Sequence, residues 1–193
     1  MEKIKSRCLW VPPNNRLYEK YHDEEWGQPI FDDKKMFEFI VLESAQAGLS
    51  WAIILNKRNG YKKAFANFNV AKVAKFTNKD IERLVTNPAI IRNRAKINAA
   101  INNAKIFLLI KKEFGSFSKY IWSFSKNRQI IHKIRTLGDY PKTISEAEKL
   151  AEDLKKRGFK FFGPIVAYAH LQAVGIINDH MANCFRRGPC LLK

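Results

Sequence analysis

The chain has 193 residues, 46% of them hydrophobic, enough for one buried core and compatible with two helical lobes inside a single domain, 1–193. Lys and Arg number 35 against 18 Asp and Glu, a formal net charge of +17 that points to a polyanionic partner. No run reaches the ~20 apolar residues of a membrane span, MEKIKSRCLW lacks the apolar stretch of a secretory signal, and three cysteines are too few for a disulfide framework. No membrane partner and a cytoplasmic location are expected.

In chain order, the first residues that carry chemistry are Cys8 and His22, a thiol and an imidazole in the polar N-terminal region. Trp10, Tyr18 and Tyr21 lie between them and Trp26 follows, a concentration of rings suited to stacking on a flat ligand or, alternatively, to core packing. LESAQAGLSW then places Glu43 in a segment, Phe39 to Leu55, that is mostly aliphatic or small and has no Lys or Arg. A buried charge without a partner is costly. Either a local donor such as Gln46 satisfies Glu43, or its carboxylate is kept for a ligand or for positive charge developing in a reaction.

Gly48 is placed to break the Glu43 helix, Ser50 to cap its successor, and Trp51 to open it. Thr77 with Asp80 marks another helix start. Ile97, Ile101, Ala104 and Leu108 recur at spacings of three and four through Asn93 to Glu113, which predicts a long amphipathic helix. Just before and within it, IIRNRAKI clusters Arg92, Arg94 and Lys96 as a phosphate-contacting surface does. The polar stretch around residues 125 to 143 reads as a loop.

Ser145 with Glu148 has the spacing of a capping box, Gly158 ends the helix that follows, and Pro164 opens IVAYAHLQAV, closed by Gly175. Residues 145 to 175 thus form either an ordinary connected helix pair or a helix-hairpin-helix, whose turn offers backbone N–H groups to a DNA phosphate. His170, inside an apolar helix, is expected to be a hydrogen-bonded interior residue. Finally, NDHMANC puts His180 and Cys184 four apart, a spacing that on a helix would set them on one face. Joined to Cys8 and His22 they would complete a closed Cys2His2 zinc site; the other reading is two unrelated pairs. The predicted class is all-α, built of short helices.

Taken together, RCLWV (7–11), LYEKYHDEEWG (17–27), LESAQAGLSW (42–51), IIRNRAKI (90–97), KKRGFKFFG (155–163) and NDHMANC (178–184) resemble the DNA-3-methyladenine glycosylase I family over nearly the whole chain. The resemblance implies a helix-hairpin-helix DNA glycosylase with one structural zinc bound by Cys8, His22, His180 and Cys184 that joins the N- and C-terminal segments. It also implies a base pocket of Glu43, Tyr21 and Trp51, lined by Trp10 and Trp26, with Tyr18 nearby and Glu43 in the catalytic role. The partner would be double-stranded alkylated DNA, gripped by Arg92, Arg94, Lys160 and the backbone at Gly163, and the enzyme a monomer. Ser44, Ala169 and His170 depart from the expected pattern, and the hairpin lacks a G-x-G form. Asp179 is a second catalytic candidate. The absence of lysine from IVAYAHLQAV implies hydrolysis without strand cleavage. The rival reading is a zinc-stabilised protein that binds methylated DNA without cutting the base free; RNA binding through basic surface alone is a third.

Overall fold

The computed structural model describes residues 6–188. In chain order it contains α1 (Arg16–Glu24), α2 (Asp33–Gln46), α3 (Trp51–Ala64), α4 (Val70–Val73), α5 (Asn78–Val85), α6 (Arg94–Phe114) and α7 (Phe117–Ser123). A two-residue strand β1 (Ile130–Ile131), α8 (Ser145–Lys156), α9 (Pro164–Ala173) and β2 (Ile177–Asn178) complete it.

Helix α2 is the axis of the molecule. Met36, Phe37, Phe39, Ile40, Val41 and Leu42 are all buried, so it is apolar all round, as a helix enclosed by others must be. It packs against α3, α6, α7 and α9. A single hydrophobic cluster runs from Cys8 to Cys184 through all of these layers. Helix α2 begins under an Asp32 cap, whose carboxylate accepts from Lys35 N at 2.7 Å. At its other end, Lys96 of α6 donates from Nζ to the carbonyls of Ala45 (2.9 Å) and Ala47 (2.6 Å). A cation on the last carbonyls complements the helix dipole, so Lys96 belongs to the scaffold rather than to a free basic surface.

Several sequence signals hold. Asn93 caps α6, Asp80 accepts from Thr77 N ahead of α5, and Pro164 is the first residue of α9. Others do not. Ser50 precedes α3 without a side-chain cap bond, and Ser145 is already helical, its hydroxyl bonded to Glu146 instead of closing a box with Glu148. The connector 125–143 is also more than a loop. Ile130 and Ile131 pair in parallel with Ile177 and Asn178, and Ile134 O accepts from Ala182 N at 2.7 Å. These bonds fasten the connector to the C-terminal segment.

Between α8 and α9, the turn 157–163 buries Phe159 and Phe162 and leaves Phe161 exposed at φ 52°. Asn103, fully buried on α6, holds the turn with both amide atoms: Nδ2 donates to Lys160 O and Oδ1 accepts from Lys160 N, each at 2.8 Å. Gly175 is fixed by close approach, since a Cβ there would lie 2.1 Å from the Gln28 carbonyl carbon at a φ of +72°.

Candidate active site

The ends of α2 and α3, helix α9, the N-terminal aromatic segment and the 125–143 connector enclose a cavity of about 330 Å³. Glu43 lies in its wall with Tyr21 and Trp51, whose ring centroids are 5.3 Å apart. Trp10 and Trp26 meet edge to face at 4.8 Å and form a second wall, with Tyr18 beside Trp10 at 5.8 Å. All five residues expected in a base pocket therefore converge, although they span the first quarter of the chain. Leu137, Tyr140, Gln46 and Gln172 also line the cavity. Tyr140 escaped sequence reading because it sits in a polar connector; its hydroxyl accepts from Trp10 Nε1 and donates to Asp179 O, both at 3.1 Å.

Glu43 is 4% exposed. Its Oε2 faces His170 Nδ1 at 2.8 Å, so the satisfying donor is not the nearby Gln46 but an imidazole from α9. Oε1 is buried and has no hydrogen-bond partner among the described residues; the same is true of Trp51 Nε1. Burial pushes the Glu43 carboxyl above the usual range and the His170 contact pulls it back only in part. Burial, then the Glu43 charge, holds the Tyr21 phenol well above its ordinary value, so it remains a neutral donor. Among the described residues no Lys or Arg lines the cavity. An aromatic slot whose one anionic atom is unsatisfied is built to accept a flat ring that is cationic or carries N–H groups.

Asp179 is fully buried and does not line this cavity. Its Oδ1 faces His132 Nδ1 at 2.7 Å, while Oδ2 accepts from Gln172 Nε2 at 2.7 Å and from the Tyr168 hydroxyl. With its carboxylate oxygens so engaged, it bears on the cavity through Gln172 and through its backbone carbonyl, which accepts from Tyr140.

Behind Trp10 and Trp26 sits the four-residue cluster. The ligand atoms of Cys8, His22, His180 and Cys184 all lie within 4.8 Å of one another, and all four residues are buried. The sulfur–nitrogen separations Cys8–His180, Cys184–His22 and Cys184–His180 are 3.5, 3.3 and 3.4 Å. A tetrahedral site with ordinary zinc–sulfur and zinc–nitrogen lengths has such edges at ~3.6 Å. The outer hydrogen bonds leave the correct lone pairs free. His22 Nδ1 donates to Asp23 at 2.8 Å, itself gripped by Arg7, and His180 Nε2 donates to Trp26 O at 3.0 Å. His22 Nε2 and His180 Nδ1 therefore face the two sulfurs as acceptors, His22 Nε2 also meeting the Cys8 backbone N–H at a long 3.4 Å. The Cys8–Cys184 hydrogen bond pulls the Cys184 thiol down and pushes the Cys8 thiol up. The residues fit a closed zinc site.

Of the expected DNA contacts, Arg92, Lys160 and Gly163 are exposed. Arg94 is exposed too but makes a bidentate pair with Glu82 at 2.7 and 2.8 Å, so part of its charge is already answered. A Cβ at Gly163 would meet nothing within 4 Å, so no internal crowding requires glycine there. Cys190 lies outside the described residues.

Comparison with known proteins gives a consistent result. A family model described as methyladenine glycosylase matches residues 10–187. DNA-3-methyladenine glycosylase 1 of Escherichia coli is 44% identical over 178 residues, covering 92% of this chain and 95% of its own. DNA-3-methyladenine glycosylase of Haemophilus influenzae is 42% identical over 185 residues, covering 96% and 97%. A Staphylococcus aureus 3-methyladenine DNA glycosylase I, solved to show how 3-methyladenine is recognised, superposes with a TM-score of 0.90 at 38% identity over 95% of this chain and 97% of that one. The chain belongs to the methyladenine glycosylase family.

Proposed function

We propose that this protein is a monofunctional DNA glycosylase that flips 3-methyladenine out of alkylated duplex DNA and hydrolyses its N-glycosidic bond, leaving an abasic site. The observation that carries this reading is the unpartnered Glu43 Oε1 in a buried aromatic cavity free of Lys and Arg among the described residues. Methylation at N3 makes adenine cationic and weakens its bond to deoxyribose, so selecting the base matters more than activating it. Trp51 supplies a stacking face, Tyr21 a neutral hydroxyl, and Glu43 an anion that favours the charged ring over neutral adenine. The same carboxylate balances positive charge that grows on the sugar as the bond breaks. No lysine lines the cavity among the described residues, which supports hydrolysis without Schiff-base strand cleavage.

For DNA, the reading uses α8, the turn 157–163 and α9 as the helix-hairpin-helix, with Arg92 and Lys160 toward phosphates and Arg94 contributing less because of Glu82. Zinc held by Cys8, His22, His180 and Cys184 would supply a closed structural cross-link between the chain ends. That cross-link stands directly behind Trp26, whose ring lies 4.6 Å from His180, so it also braces the pocket wall.

The test is multiple-turnover release of free base from N-methylated duplex DNA. The glycosylase reading predicts 3-methyladenine released in excess over protein and DNA left unnicked. A binder would retain lesions in proportion to its own amount and release none.

A further inference from the structure

The pair between α2 and α9 does more than neutralise a buried charge. His170 is wholly buried, its Nδ1 is 2.8 Å from Glu43 Oε2, and its Nε2 is also buried with no partner among the described residues. An oxygen anion needs a donor, so the ring proton must sit on Nδ1 whichever charge the imidazole carries. Phe162 of the interhelical turn packs edge-on against the ring at 5.5 Å and 70°, which limits its rotation. With Oε2 thus occupied, Oε1 is the only carboxylate oxygen left for a ligand.

We propose that His170 is a positioning residue for Glu43, acting through its Nδ1–H to fix the carboxylate rotamer, keep it ionised and leave Oε1 as the single acceptor for the bound base. The proposal rests on the reading of Glu43 as the group that meets the base. Tyr21 of α1 is the other titratable group facing the carboxylate, and Tyr18 and Tyr140 complete the cavity. From α6, Lys96 is committed to the Ala45 and Ala47 carbonyls; α3 contributes Trp51; and α7 engages α2 at its far end, where Asp33 accepts from Ser118 N. Helix α8 buries only Ala147, Leu150, Ala151 and Leu154. His170 is therefore the one imidazole available to hold this carboxylate among the described residues.

The experiment is the pH profile of kcat/KM for base release by the metal-loaded, full-length protein, which reports groups on the free enzyme. Wild type should lose activity on the acidic side as Glu43 protonates. His170→Phe keeps a ring but removes the donor and should move that limb to higher pH, costing roughly tenfold or more in kcat/KM at acidic pH, as loss of a hydrogen bond to a charged group does. His170→Asn places an amide N–H near the Nδ1 position and should return the limb toward wild type. Should His170→Phe not fold, His170→Gln, whose amide reaches the Nε2 position, carries the same expectation. A limb unmoved by losing the Nδ1 donor, or moved equally in the Asn variant, overturns the proposal. A limb that persists in Glu43→Gln overturns the Glu43 reading and the proposal with it.

Discussion

At Glu43, folding and function pull in opposite directions. Its folded carboxyl sits above the ordinary range because of burial, so its contribution favours the folded state below that range and is lost as pH rises through the folded value. At neutral pH the ionised side chain is a net burden. Glu43→Gln should therefore raise Tm at neutral pH, and the gain should shrink as pH falls into the ordinary carboxylate range; thermal denaturation across pH checks this, and a lower Tm at neutral pH contradicts it. The candidacy of Glu43 was readable in the sequence because a charge without Lys or Arg stood in an apolar run. Its partner was not. His170 lies 127 positions away, and only the packing of α9 on α2 brings the two together. Nothing in LESAQAGLSW distinguishes that donor from the nearby Gln46, which lines the cavity instead.

Among the elements, the α8–α9 pair is positioned by α6. Asn103 replaces the water that the Lys160 backbone would otherwise bind, satisfying its N–H and C=O together. Asn103→Leu leaves both groups without their partner, and should cost about 2–6 kcal/mol at roughly 1–3 kcal/mol per unmade bond. It should also weaken binding to undamaged duplex DNA if the turn carries the phosphate contact; denaturant unfolding and an equilibrium titration measure the two effects. Helix positions followed from local chemistry. Asn93, Gly158 and Pro164 impose their boundaries on whatever surrounds them. The strand pair Ile130–Ile131 with Ile177–Asn178 was hidden because two residues show no period; Ser145 failed as a cap because its hydroxyl bonds Glu146, and Ser50 precedes α3 without a side-chain cap bond.

Across the whole molecule, Cys184 of the cluster lies 162 positions from His22, so a metal there restrains nearly the entire unfolded chain. Elemental analysis of the wild type should find one zinc per chain, and Cys184→Ser should abolish it and lower Tm by roughly 5–15 °C, if the cross-link is worth about 2–5 kcal/mol like a long-loop disulfide. Full metal content in that variant would contradict the four-ligand site. The net charge of +17 was a sound pointer to a polyanion, yet Arg94, Lys96 and Arg157 are drawn into internal bonds that composition cannot reveal. The helices hold one anionic oxygen beside aromatic faces in a cavity that no Lys or Arg lines among the described residues. The most direct measurement of that claim is single-turnover release of 3-methyladenine from methylated duplex DNA by wild type and Glu43→Gln at saturating protein. The account predicts a rate lower by about 100-fold or more, the scale of losing a preorganised electrostatic partner, with duplex affinity preserved; release at the wild-type rate would contradict it.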